Sequence, residues 1–311
     1  MTQIYDMIVV GGGPAGYTAA LYAARAGLDV VVLEKLSAGG QMALTEQIDN
    51  YPGFEEGVDG FTLGEQMQAQ AERYGARTEL ADVTALRLEG LRKEVQTSEG
   101  VFYGKTVVIA TGANPRELGL PGERERMGRG VHYCAACDGM RYRGKTVVVV
   151  GGGNSAAADA LTLSRTAEKV ILIHRRDSLR ATRIYHAPLQ EAANVEFRWN
   201  STVSALVRSD GLDGVTVRDV ETGEESFLPC DGVFVSIGRA PATGMVEGQL
   251  ELAADGSIVA DETTRTGIPG VFAAGDVRTK NLRQVVTAVA DGAAAVHAAE
   301  EYLAEQKNSL W

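Results

Sequence analysis

Short, almost wholly apolar runs alternate with helical stretches along this chain, and they do so twice in the same order. Ile8-Val9-Val10 ends an apolar strand, a helix is predicted from about Pro14 to Arg25 and closes at Gly27, and a second strand covers Val30 to Leu33. The order returns with the strand Val147 to Val150, a helix from about Asn154 to Arg165, and the strand Val170 to Ile173. Strands apolar at nearly every position suit a parallel sheet covered on both faces. The pattern predicts an α/β protein with two Rossmann-like, three-layer dinucleotide-binding domains.

Between the copies, Val83 to Leu88, Glu94 to Thr97 and Thr106 to Ala110 read as strands of a small sheet. Phe61 to Tyr74 reads as an amphipathic helix closed by Gly75. Two apolar strands end in chain breaks, at Thr111-Gly112-Ala113-Asn114-Pro115 and at Gly238-Arg239-Ala240-Pro241. Both read as crossings between domains. The expected division is a first domain over 1–115, an inserted domain over 116–240, and a return to the first over 241–311. The return carries Gly270 to Asp276, a short apolar strand ending in Gly-Asp, then an Ala-rich helix from about Leu282 to Glu305. Arg283-Gln284 would open that helix, where an N-terminus favours negative charge.

Each copy carries a glycine fingerprint between strand and helix. Gly11-Gly12-Gly13-Pro14-Ala15-Gly16 fits G-x-G-x-x-G, and Gly151-Gly152-Gly153-Asn154-Ser155-Ala156 fits G-x-G-x-x-A. The first glycine permits the tight turn, the second admits a pyrophosphate, and the third lets helix pack on strand. The helix N-terminus then faces the phosphates. Superposing Gly11 on Gly151 sets Glu34 against His174, each 23 residues downstream. Glu34 would accept hydrogen bonds from ribose hydroxyls. The second copy has His174-Arg175-Arg176 there instead, with Arg180 beyond, a cationic cluster that fits a 2′-phosphate and hence NADP.

Composition narrows the partners. The 311-residue chain is 45% hydrophobic and 23% charged, ordinary for a globular protein with two cores. A net charge of −11 with no basic tail argues against nucleic acid. No apolar run approaches the roughly 20 residues that cross a bilayer, and without a charged start, apolar core and cleavage site at its opening the chain is not expected to be secreted. Three cysteines do not make a disulfide framework, so a cytoplasmic location is expected.

Two of those cysteines form Cys134-Ala135-Ala136-Cys137, with Asp138 directly after. The spacing lets two sulfurs meet from one turn and cycle between dithiol and disulfide. Zinc would need two further ligands, and no second C-x-x-C exists. No metal is expected. Asp138 could move the proton that exchange requires, or could simply form a turn before Gly139. Cys230 is expected to act as a small apolar residue. His132, His186 and His297 have no visible partner and are expected in surface or packing roles. Cys137 lies 14 residues before Gly151, so the pair and the second nucleotide belong to one domain. They would then take turns at a redox group on the other domain, with rotation about the two crossings.

Taken together in this order, these motifs resemble the low-molecular-weight, bacterial-type thioredoxin reductases, from Gly11 to about Leu303. Further matches are Gly39-Gly40-Gln41, Asn50-Tyr51-Pro52-Gly53, Ala110-Thr111-Gly112-Ala113, His174 to Arg180, Gly275-Asp276 and Arg283-Gln284. The resemblance implies an NADPH- and FAD-dependent flavoprotein that reduces the disulfide of thioredoxin and works as a homodimer. It implies an FAD site at Gly11, Gly13, Pro14, Ala15, Gly16, Glu34, Gly40, Gln41, Asn50, Val83, Thr111, Gly112, Gly275, Asp276, Arg283 and Gln284. It implies an NADPH site at Gly151, Gly153, Asn154, Ser155, Ala156, His174, Arg175, Arg176, Arg180, Ile237 and Gly238. Cys137 would be the thiol toward the flavin, Cys134 the one that attacks the protein substrate, and Asp138 the acid/base. Two alternatives stand beside this: a flavin dithiol oxidase, and a reductase of another small thioredoxin-like protein.

Overall fold

The computed structural model describes residues 3–45, 47–207 and 212–308. The chain forms two compact units: 1–46, 58–114 and 240–311 make the first, and 47–57 and 115–239 the second.

The first unit begins β1 (Ile4–Val10), α1 (Pro14–Arg25), β2 (Val30–Glu34), α2 (Gly60–Arg73) and β3 (Arg77–Leu80). Asp59 caps α2 by accepting the Thr62 N–H. Next come β4 (Val83–Arg87), β5 (Lys93–Thr97) and β6 (Gly100–Ile109). The expected small sheet is part of a larger one. Gly100 to Gly104 of β6 pair antiparallel with β5, while Tyr103 to Ile109 run parallel to β1. One long strand therefore serves both the hairpin and the main sheet, in the order β3-β2-β1-β6-β5-β4.

The chain passes β7 (Ala113–Pro115) into the second unit. There follow β8 (Val131–His132), the one-turn α3 (Ala135–Asp138), β9 (Thr146–Val150), α4 (Asn154–Ser164), β10 (Lys169–Ile173), α5 (His186–Glu191) and β11 (Val195–Arg198). An antiparallel sheet of β12 (Ser201–Val207), β13 (Gly214–Asp219) and β14 (Glu225–Pro229) precedes β15 (Gly232–Val235). The main sheet is parallel throughout, in the order β11-β10-β9-β15-β8. The chain returns through β16 (Arg239–Pro241) to β17 (Val271–Ala273), parallel to β6, and to α6 (Val285–Asn308).

Alternation within the apolar strands builds both cores. Met7 and Val9 face a cluster with α1 and α6 residues such as Ala19 and Ala295, while Ile8 and Val10 face Leu86, Val95 and Ile258. Likewise Val147 and Val149 pack with Ala156, Ala160 and Leu189, and Val148 and Val150 with Val203, Val215 and Val217. Both faces of each sheet are dry, which is why the strands read as unbroken apolar runs. In each sheet the strand before the glycine fingerprint lies between two strands that both follow it in the chain, one on either side: β1 between β2 and β6, and β9 between β10 and β15. Ligands of such sheets bind at that switch point, beyond the strands' carboxyl ends. Among the described residues no helix is long and apolar enough to cross a membrane.

Candidate functional site

In the first unit the fingerprint forms the β1–α1 turn. Gly11 has φ of 105°, and a Cβ there would lie 2.5 Å from the Ala110 carbonyl oxygen. At Gly16 a Cβ would overlap the Gly11 carbonyl, so helix and strand touch backbone to backbone. Gly13 differs: the nearest atom to a Cβ there is the Gly39 oxygen at 4.0 Å, so its open side forms a cradle. No side chain caps α1, and Pro14 lacks an N–H. Open glycine and uncapped helix fit a pyrophosphate.

Several of the other expected residues of this unit are tied to the turn, and the rest have partners nearby in the chain or the fold. Glu34 closes β2; its Oε2 accepts the Gly12 N–H at 2.6 Å and its Oε1 the Leu36 N–H at 3.1 Å. The Gly39 N–H donates to the Gly12 carbonyl at 2.8 Å, and a Cβ on Gly40 would be 3.5 Å from Gly13 Cα. Gln41 donates to Asn114 Oδ1 at 3.0 Å. Thr111 donates to the Ala242 carbonyl at 2.8 Å, and the Gly112 carbonyl accepts the Ala242 N–H at 3.0 Å. Val83 stands two residues past Ala81, whose N–H binds the Glu34 carbonyl. Gly275, at φ 82°, brings its backbone against Ala15. Arg283 folds back with Nε 3.4 Å from the Asp276 carbonyl and an NH2 donating to Ser257 Oγ at 3.1 Å. The last helix therefore starts at Val285 rather than Leu282, and Gln284 supplies the carbonyl for the Ala288 N–H. Asn50 falls in the segment 47–57, which groups with the second unit, so the first unit alone does not assemble it with the others.

Sequence reasoning missed the group beneath Gly275. Asp291, on α6, accepts the Gly275 N–H at 2.8 Å, Arg278 Nε and one terminal Arg278 nitrogen at 2.9 and 2.8 Å, and Lys280 at 2.7 Å. All four groups are buried or nearly so. Burial pushes the Asp291 carboxyl up, but Arg278, Lys280 and the Gly275 N–H outweigh it and hold it below the usual range. The i,i+13 and i,i+11 spacings carry no local sequence signal.

In the second unit Gly151 (φ 147°) abuts the Ser236 carbonyl, which sets Ile237 and Gly238 (φ 111°) beside the fingerprint. Gly153 has open space where a Cβ would stand, and no side chain caps α4. The 174–182 loop is tied to the turn: the Arg180 N–H donates to the Gly152 carbonyl at 2.7 Å and the Thr182 N–H to Asn154 Oδ1 at 2.8 Å. Ser155 follows Asn154 in the first turn of α4 and is exposed, while Ala156 is buried against the sheet. Arg175, Arg176 and Arg180 are exposed, as a phosphate site requires. His174 is not. It is buried, and burial together with Arg180, Arg176 and Arg175 pushes its imidazole down toward the neutral form. The positive charge of this cluster is carried by the three arginines.

Cys134 and Cys137 are joined by a disulfide with Cα atoms 5.3 Å apart. Cys134 stands at the N-cap of α3, whose short turn is closed by the Asp138 N–H on the Cys134 carbonyl at 3.1 Å. Ala135 packs against Ala156 and Ala160 of α4, and its N–H bonds to Asp159. The redox turn is thus seated on the helix of the second fingerprint. Burial pushes the Asp159 carboxyl up despite the Ala135 N–H and a Ser236 hydroxyl at 2.5 Å.

Asp138 is 6% exposed, with Oδ2 3.2 Å from His132 Nδ1 and Oδ1 3.9 Å from an Arg141 nitrogen. His132 was expected to lack a partner and has three: Asp138, Tyr142 Oη at 2.7 Å and the Gly130 N–H at 3.3 Å. Strand pairing brings it there, and the five residues between His132 and Asp138 conceal the contact in the sequence. His186 bonds the Ala181 carbonyl at 3.0 Å, and exposed His297 lies 3.7 Å from Glu301. Cys230 is buried, as its apolar role requires.

Two nucleotide turns and a redox disulfide on one chain define a nucleotide-dependent disulfide oxidoreductase. Residues 5–292 match the family described as pyridine nucleotide-disulphide oxidoreductase. The thioredoxin reductase of Treponema pallidum (strain Nichols) is 43% identical over 308 residues, covering 99% of this chain and 100% of that one. A bifunctional thioredoxin reductase/thioredoxin of Mycobacterium leprae (strain TN) is 44% identical, covering 98% of this chain and 67% of that one. The crystal structure of thioredoxin reductase from Streptococcus pyogenes MGAS5005 matches with a TM-score of 0.89 and 42% identity, covering 98% of this chain and 100% of that one. The chain belongs to the pyridine nucleotide-disulphide oxidoreductase family and, within it, to the thioredoxin reductases.

Proposed function

We propose that this enzyme takes electrons from NADPH, relays them through FAD in the first unit to Cys134–Cys137, and delivers them to the disulfide of thioredoxin. The observation that carries the reading is the disulfide seated on the helix of the arginine-marked fingerprint, next to a buried carboxylate. When bound, FAD supplies a two-electron relay between a nicotinamide hydride and a disulfide.

The chain's residues do the rest. The Gly11–Gly16 turn with Glu34 would hold the adenosine diphosphate of FAD. The Gly151–Ala156 turn would hold NADPH, with Arg175, Arg176 and Arg180 on its 2′-phosphate. Cys137 is read as the sulfur that exchanges electrons with the flavin, and Cys134 as the thiol that meets the substrate. The Cys134 thiolate attacks one substrate sulfur, forming a mixed disulfide and releasing the other sulfur as a thiolate. The Cys137 thiolate then attacks Cys134, restoring the enzyme disulfide and releasing the second substrate thiolate. Two electrons thereby pass from the dithiol to the substrate, and Asp138 is the group placed to give or take the accompanying proton. The same unit carries the disulfide and the second fingerprint, so nicotinamide and disulfide would serve the flavin in turn. The bifunctional name of the Mycobacterium leprae relative, thioredoxin reductase/thioredoxin, supports thioredoxin as the partner. A cytosolic homodimer completes the reading: a C-x-x-C pair in a chain with three cysteines suits a reducing compartment, and the family resemblance supplies the dimer.

Stopped-flow mixing of the oxidised holoenzyme with NADPH, then with oxidised thioredoxin, tests it. Flavin absorbance should bleach with NADPH and return on adding thioredoxin. A flavin that stays oxidised with NADPH, or recovers only with oxygen, would sink the proposal.

A further inference from the structure

His132 is 1% exposed at the end of β8, opposite Phe234 of β15. Its ring lies 5.2 Å from Phe234 in a stacked arrangement and 5.2 Å from Tyr142 edge-on. Rotation is therefore blocked by packing. The Gly130 N–H can only donate, and it points at Nε2 at 3.3 Å. Tyr142 Oη is 2.7 Å from the same nitrogen. Burial, opposed by Arg141 and reinforced by Asp138, Asp231 and Cys230, pushes the Tyr142 phenol up to about 12, so it is a donor as well. Two donors on Nε2 leave the ring proton on Nδ1. That nitrogen faces Asp138 Oδ2 at 3.2 Å, although the two are not aligned as a full hydrogen bond.

Asp138 needs such a neighbour. It is nearly dry, its Oδ1 has no hydrogen-bond partner, and Arg141 stands off at 3.9 Å. Burying a carboxylate oxygen without a donor is costly. The other charged or titratable groups around this cluster are Lys145 over the Tyr142 ring, Cys230 and Asp231 beside Tyr142, and Asp159 under Ala135.

We propose that His132 is a positioning residue for Asp138: its Nδ1–H steadies the Asp138 carboxylate, and Tyr142 and Gly130 fix the tautomer that makes this possible. This rests on the reading of Asp138 as the acid/base of disulfide exchange. His132 does not touch the substrate. It sets the pH at which Asp138 changes protonation state, and so the pH range over which the dithiol is used.

The test compares His132→Phe, which keeps a packed ring, with His132→Asn, which restores a donor near the Nδ1 position, and with Asp138→Asn. The pH profile of thioredoxin-dependent NADPH oxidation is measured for each holoenzyme, with flavin reduction by NADPH as the control. The limb that disappears in Asp138→Asn should move up by about one pH unit or more in His132→Phe. It should stay near its wild-type position in His132→Asn, and flavin reduction should be unchanged in the two His132 variants. An unmoved limb in His132→Phe overturns the proposal. A limb that survives in Asp138→Asn overturns the acid/base reading instead. If His132→Phe loses flavin reduction, His132→Gln, which serves Gly130 and Tyr142 but places no donor at Nδ1, carries the same expectation and the same refutation.

Discussion

Glu34 Oε2 accepts the Gly12 N–H at 2.6 Å, so the acid proposed to hold a ribose also anchors the turn that would hold the pyrophosphate. The second carboxylate oxygen is engaged by the Leu36 N–H. Removing the acceptor leaves a partly buried N–H without its charge-assisted bond, worth about 1.5–3 kcal/mol. Glu34→Ala should weaken FAD binding by roughly 10- to 100-fold, while Glu34→Gln, which keeps one acceptor, should lose less. Titration of the apoprotein with FAD, followed by flavin fluorescence, reads the difference. Equal losses in the two variants would show that the turn does not depend on this bond.

The ring of His174 occupies the same place under Gly152 that Glu34 occupies under Gly12. Being buried and biased to the neutral form, it leaves phosphate recognition to Arg175, Arg176 and Arg180. Arg175→Ala with Arg176→Ala should raise KM for NADPH by about 100-fold or more, at roughly 1.5–3 kcal/mol for each charged contact. KM for NADH should change only a few-fold. Parallel increases for both coenzymes would mean that the arginines do not read the 2′-phosphate.

Much of this architecture is legible in the sequence, for a definite reason. Val9 and Val149 must be apolar because helices cover them, and Gly16 must lack a side chain because the Gly11 carbonyl takes the space. Such constraints act within one strand–turn–helix unit, so they leave a local pattern. The contacts of His132 and Asp291 do not: one depends on strand pairing and the other on the return of α6 to Gly275. The sheet β12–β14 leaves no such pattern, since its strands mix buried, half-buried and exposed residues without strict alternation. Arg283 was expected to open the last helix, but its bonds to Asp276 and Ser257 hold it outside.

Arg278 and Lys280 share the Asp291 carboxylate, and their side chains are 1% and 5% exposed. Asp291→Asn would strand buried cations, a loss of about 3–5 kcal/mol. Carbonyls of Ala260, Thr279 and Thr287 remain for the two cations, which favours the lower end. Because the Asp291 carboxyl is held below the usual range in the fold, its contribution is complete above about pH 4, where the unfolded carboxyl is ionised. It fades as pH falls through the folded value. Urea unfolding should therefore show a wide gap between wild type and variant at pH 7 that narrows in acid below pH 4. A gap independent of pH would exclude an ionic origin.

The three cysteines should separate by environment. Cys134 and Cys137 are half-buried on a surface turn, whereas burial, with help from Asp231, pushes the Cys230 thiol up to about 12. At pH 8 Cys230 has almost no thiolate, and only the thiolate reacts with a disulfide reagent. The enzyme reduced with NADPH should release two equivalents of thionitrobenzoate rapidly and the third only in denaturant. Cys134→Ser should leave one rapid equivalent, keep flavin reduction by NADPH, and abolish thioredoxin reduction. Retained thioredoxin reduction would remove Cys134 from its proposed role, and a third rapid equivalent in the native wild type would mean that Cys230 is reached from solvent.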